Sequence, residues 1–107
     1  MRPRNDVAGE VFTALSDPHR RVVVELLAER GAATGTELAT ELPVTRQAVA
    51  KHLAALSRAG LVESTRAGRE TRYRLTPGPL TDALDWMVSV GAEWDERLAA
   101  LRRHLTV

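Results

Sequence analysis

Cysteine is absent from the 107-residue sequence. That absence excludes disulfides, thiolate metal sites and cysteine-based redox sensing. No apolar run approaches the roughly 18 residues that a bilayer-spanning helix needs. The opening Met-Arg-Pro-Arg-Asn-Asp carries charge with no apolar stretch behind it, so no secretory signal is expected and the chain reads as cytoplasmic. The three histidines, His19, His52 and His104, stand too far apart in sequence for any familiar ligand spacing, so neither a metal nor another cofactor is expected, with a metal site built from them and nearby carboxylates as the lesser alternative. Nucleophile–base pairings, glycine-rich phosphate loops and clusters of ionisable groups are missing too, which argues against an enzyme. The length leaves room for one domain with a modest core, which pairing with a second copy would help to stabilise.

The formal net charge of +1 conceals an uneven distribution. Residues 1–44 hold five Arg against seven acidic residues, and residues 75–107 hold three against five, each segment netting −2. Residues 45–74 hold six Arg and one Lys against two Glu, a net of +5. A basic footprint confined to one segment is what binding to phosphates requires, and a solvated charged face is the competing explanation.

Apolar spacing divides the chain into helices. Val7, Val11 and Leu15 mark a first short helix behind a mobile tail over residues 1–6. Asp17 and Pro18 suit the cap and first position of a second helix, which turns Val22, Val23, Leu26 and Leu27 inward and stops near Gly31. Residues 32–35 read as a connector. Thr36 is expected to cap a short third helix, Glu37 to Leu42, with Leu38 and Leu42 inward, ended by Pro43. Thr45 is expected to cap a fourth helix that ends at Gly60. Its apolar arc is Val49, Leu53 and Leu56, opposite Gln47, Ala50, Lys51, Ala54 and Arg58. Two strand-like runs, Leu61 to Arg66 and Thr71 to Leu75, flank a hairpin tip at residues 67–70, with Tyr73 and Leu75 on one face and Arg72 and Arg74 on the other. Residues 76–79 form a break.

The last helix carries Leu80, Leu84, Met87, Gly91, Trp94, Leu98, Leu101 and Leu105 at alternating spacings of four and three. Trp86 and Val90 add a second apolar edge. One edge suits the domain's own core and the other suits a partner, with Gly91 allowing close approach; packing of the whole stripe within one chain is the alternative. Val7, Val11, Leu84, Met87, Gly91, Trp94, Leu98 and Leu101 are the expected dimer contacts.

The fold class is therefore mainly α with a β-hairpin: four helices, two strands and a fifth helix. The third and fourth helices with their tight turn form a helix-turn-helix, whose second helix places its first residues at base edges in a major groove. Arg46 matches guanine O6 and N7, and Gln47 matches adenine N6 and N7. Thr45 at the helix N-terminus, Lys51 and Arg58 suit phosphates. Arg69 at the hairpin tip can reach a minor groove, flanked on the backbone by Arg66 and Arg72, unless it pairs with the neighbouring Glu70. His52 reads as a structural histidine bonded to backbone, and His19 as a surface residue.

The segments ALSDPHRRVVVELL and TGTELATELPVTRQAVAKHLAALSRAGLVESTRAGRETRYRL, with the tryptophan-bearing last helix, resemble the ArsR/SmtB family of bacterial repressors over residues 7–105. The resemblance implies a winged helix-turn-helix homodimer that binds an inverted-repeat operator on double-stranded DNA, near the nucleoid. The helix at residues 45–59 would read DNA, the hairpin at 61–75 would be the wing, and the first and last helices would pair. Ala50 stands where many relatives carry a backbone-contacting Ser. The family's metal sites do not carry over: the third helix has no cysteine, Asp82 is followed two residues later by Leu84, and His104 stands alone. The last helix resembles the metal-independent branch. A winged-helix module that binds a protein in place of specific DNA is the alternative reading.

Overall fold

The computed structural model describes residues 4–105, with the side chains of residues 4–6, 101, 104 and 105 outside what it describes. Its elements run α1 (Arg4–Ala14), α2 (Pro18–Arg30), β1 (Ala33–Thr34), α3 (Gly35–Glu41), α4 (Arg46–Arg58), β2 (Val62–Ala67), β3 (Glu70–Leu75) and α5 (Gly78–Leu105). This is a winged helix-turn-helix with one strand more than the sequence pattern suggests. Among the described residues no helix is long and apolar enough to cross a membrane.

Local chemistry sets most boundaries. Asp17 caps α2, its Oδ1 accepting from the N–H groups of His19 at 2.8 Å and Arg20 at 3.3 Å, and Pro18 needs no donor in the first turn. α4 ends in a Schellman motif: Gly60 takes φ 75°, its N–H donates to Ser57 O, and Leu61 N–H donates to Leu56 O at 2.9 Å. Leu56 and Leu61, brought together by that turn, are both fully buried. α1 begins at Arg4, inside the tail expected over residues 1–6, because its polar first turn carries no apolar spacing to announce it; residues 1–3 lie outside the described residues. α5 likewise begins inside the expected break, with Pro79 in its first turn and Thr81 N–H donating to Pro77 O at 2.9 Å.

The core gathers Val23 and Leu27 of α2, Leu38 of α3, Val49, Leu53 and Leu56 of α4, and Leu61 and Val62 at the base of the hairpin. Each fully buried leucine contributes about 1.5–3 kcal/mol of transfer free energy. Val22 does not join them and is exposed. At 100° per residue it sits about 120° from the middle of the Val23–Leu27 arc, so only Leu26 reaches the core edge from that side.

β2 and β3 pair antiparallel from Val62↔Leu75 to Ala67↔Glu70, leaving Gly68 and Arg69 as a two-residue loop. Gly68 has φ 63° while Arg69 keeps a negative φ, the signature of a type II′ turn that matches strand twist. The expected connector before α3 contains β1, which pairs with β3 through Ala33↔Tyr73 and Thr34↔Arg72. The sheet order β1-β3-β2 thus fastens the hairpin to the start of the helix-turn-helix.

Candidate nucleic-acid interface

The turn between α3 and α4 spans residues 42–45. Leu42, preceding Pro43, is held extended at φ −111°, ψ 142°, which ends α3. Thr45 caps α4, its side-chain oxygen accepting from Ala48 N–H at 3.1 Å, and its hydroxyl hydrogen is left to donate. The cap of α3 is Thr34, not the expected Thr36. Thr34 Oγ1 accepts from Glu37 N–H at 3.1 Å, and Thr34 N–H donates to Glu37 Oε1 at 2.9 Å. This reciprocal capping box is written in the sequence as Thr34-x-x-Glu37, a signal that the choice of Thr36 passed over. The Thr34 amide and hydroxyl hold the Glu37 carboxyl below the ordinary glutamate range, partial burial opposes them, and the charges of Arg72 and Arg30 assist.

α4 has two distinct faces. Val49, Leu53 and Leu56 are buried, while Thr45, Arg46, Gln47, Ala50, Lys51, Ala54 and Arg58 are exposed, as their spacing implied. No acidic residue lies on α4, and Arg46, Lys51 and Arg58 hold no ion pair among the described residues. An open cleft of about 640 Å³ separates this face from the hairpin; Arg46, Ala50, Thr36, Arg69 and Arg72 contribute to its walls.

The hairpin distributes its arginines unequally. Arg69 occupies the turn, exposed and unpaired among the described residues. Glu70 pairs with Arg72 instead, Oε2 to Nη2 at 3.1 Å, and Arg72 Nη1 also lies 3.9 Å from Glu37 Oε1. The competition expected between Glu70 and the bases for Arg69 therefore falls on Arg72. Arg66 Nε donates to Gly68 O at 3.3 Å, laying its side chain along the turn.

α2 and α4 also bring together groups that are distant in sequence. His19 and His52 lie with ring centroids 5.9 Å apart, and His19 Nδ1 is 3.8 Å from Asp17 Oδ1. His52 Nδ1 accepts from Arg20 Nε at 3.4 Å, so its partner is a side chain and not the backbone expected for it. His19 lies at the edge of this group with its side chain 41 % exposed, as expected of a surface residue. Partial burial raises the Asp17 carboxyl, but the His19 and Arg20 amides, with His52 and His19 nearby, hold it below its ordinary range.

α5 presents its two edges differently. It packs on α1, with Ala83 buried and the Trp86 ring edge-on to Phe12 at 5.8 Å. Leu84, Met87, Val88, Trp94 and Leu98 remain 45–61 % exposed. A Cβ added at Gly91 would meet nothing within 4 Å. Val11, expected in a dimer contact, is 1 % exposed and belongs to the chain's own core, because α1 turns that face onto α5. Val7 is half-buried against the same core. The Leu101 side chain lies outside the described residues.

A winged helix-turn-helix with a free basic helix face defines the class. Residues 15–65 match a family model described as a helix-turn-helix domain. The transcriptional repressor SdpR of Bacillus subtilis is 32 % identical over 74 % of this chain and 87 % of its own length. An ArsR-like transcriptional regulator from Rhodococcus sp. RHA1 superposes with a TM-score of 0.83 at 44 % identity, covering 92 % of each chain. The homodimeric winged helix-turn-helix DNA-binding domain of a possible ArsR-family regulator from Mycobacterium bovis superposes with a TM-score of 0.63 at 31 % identity, over 82 % of this chain and 80 % of that one. The chain belongs to the ArsR family of winged helix-turn-helix transcriptional regulators.

Proposed function

We propose that the protein is a sequence-specific DNA-binding repressor, not an enzyme, that grips an inverted-repeat operator as a homodimer. The observation that carries this reading is the exposed, acid-free face of α4, where Arg46, Gln47 and Lys51 stand beside Arg69 of the hairpin, all without a partner among the described residues. Arg46 and Gln47, in the first turn, read base edges in the major groove. Thr45, Lys51, Arg58 and Arg66 hold phosphates, and Arg69 enters the adjoining minor groove. Arg72 plays a lesser part, because Glu70 and Glu37 already neutralise it. The exposed seam of α5 pairs two copies, setting two recognition helices about one DNA turn apart, roughly 34–36 Å. Such a dimer represses by occupying the promoter.

Selection of bound duplexes from a random pool, followed by anisotropy titration of the winner at several salt concentrations, tests the proposal. A palindrome bound far more tightly than scrambled DNA, with a steep salt dependence, is expected. Absence of any enriched sequence, with weak binding that vanishes at physiological salt, would overturn it in favour of a protein partner.

A further inference from the structure

We propose that Asp17, His19 and His52 form a binding site for one divalent first-row transition metal ion of the Zn²⁺ class, bridging the start of α2 and the middle of α4. One carboxylate oxygen and one nitrogen from each ring all lie within 4.8 Å of one another. Three donors on a tetrahedral Zn²⁺, at 2.0–2.2 Å from the ion, would sit about 3.3–3.6 Å apart, so small side-chain rotations close the set. The donors are two imidazoles and one carboxylate, the mixture that borderline divalent ions favour over Mg²⁺ or Ca²⁺. All three residues are half-buried, which shields the group from full hydration yet leaves an ion a way in and a fourth position for water.

The backbone holds the pieces in place. Asp17 Oδ1 is oriented by two amides at the α2 N-terminus, and His19 lies in the first turn of the same helix. Packing of α2 on α4 delivers His52 from the opposite side. Arg20 is the competitor: its Nε donates to His52 Nδ1 at 3.4 Å, a long hydrogen bond that ligation through that nitrogen displaces. Two of its three ligands, the cap residue Asp17 and His19 in the first turn of α2, lie off the recognition helix, and the existence of the site does not depend on the function proposed above.

The test uses the full chain without DNA. Zn²⁺ is titrated against a chromogenic chelator, and imidazole ¹⁵N resonances are followed by NMR. One Zn²⁺ per chain is expected, with the His19 and His52 resonances moving together. His19→Ala, at a partly exposed position that the core does not use, should weaken binding at least about tenfold, since even partners behind a metal ligand matter by that much. His104→Ala should leave it unchanged. Absence of Zn²⁺ binding, undiminished binding in His19→Ala, or shifts confined to His104 would overturn the site while leaving operator binding untouched.

Discussion

Replacing Leu84 and Leu98 by alanine isolates the outer edge of α5. A fully buried leucine is worth about 1.5–3 kcal/mol, and here about half of each side chain is already covered within one chain. Pairing therefore has about 1 kcal/mol left to gain at each position. Because Ala keeps the Cβ, the double variant forfeits about 1.5 kcal/mol per protomer, and the two-fold symmetry of a homodimer doubles this to about 3 kcal/mol. At about 1.4 kcal/mol per decade, the dimer dissociation constant should rise about a hundredfold. Sedimentation velocity across a dilution series reads that constant, and far-UV circular dichroism of the dissociated protein reads the fold. Helicity should persist. An unchanged dissociation constant would refute the placement of the interface, and lost helicity would show that the two leucines support the chain's own core. Leu56→Ala supplies the contrast: that side chain is fully buried, and its truncation should cost about 2–5 kcal/mol of folding stability.

Other expectations follow from the same geometry. Arg46→Ala and Gln47→Ala should each cost about 1–3 kcal/mol at one operator position and relax discrimination there, whereas Lys51→Ala should weaken all duplexes alike and lower the salt slope by about one, both read by anisotropy. Thr34→Ala should lower stability in urea unfolding by about 1 kcal/mol, while Thr36→Ala, lacking the cap, should change little. Glu37 is held below its ordinary pKa in the folded chain, so its contribution is complete above the ordinary glutamate range and is lost as pH falls through the lowered value. Acid titration of stability should therefore be flatter in Glu37→Gln below the ordinary glutamate range, and identical slopes would remove Glu37 from the account.

The radius of gyration, 18.3 Å, exceeds the roughly 13 Å of a compact chain this long, and the principal extents are 69 × 33 × 20 Å. α5 accounts for this elongation: its 28 residues span about 42 Å, far more than the small core can cover. An apolar seam projecting past its own domain is the physical reason a second copy belongs to the proposed function.

Periodicity and punctuation made much of this molecule legible in advance. The arc Val49–Leu53–Leu56, the cap at Asp17, the Gly60 stop and the Gly68-Arg69 hairpin each depend on residues within a few positions of one another, so the sequence determined them alone. The seam of α5 belongs with these, since its spacing specifies a stripe wherever the helix lies. β1 was hidden because two residues are too few to show a period; it exists through pairing with β3, about forty residues away. Val11 and Val22 exchanged their expected surroundings because burial depends on where α5 and the core lie, not on the helix's own spacing. Only the tertiary structure chose Arg72 over Arg69 as the partner of Glu70, and only the packing of α2 on α4 joined His19 to His52. Short-range rules place side chains on a face; which faces meet is decided by the closure of the core.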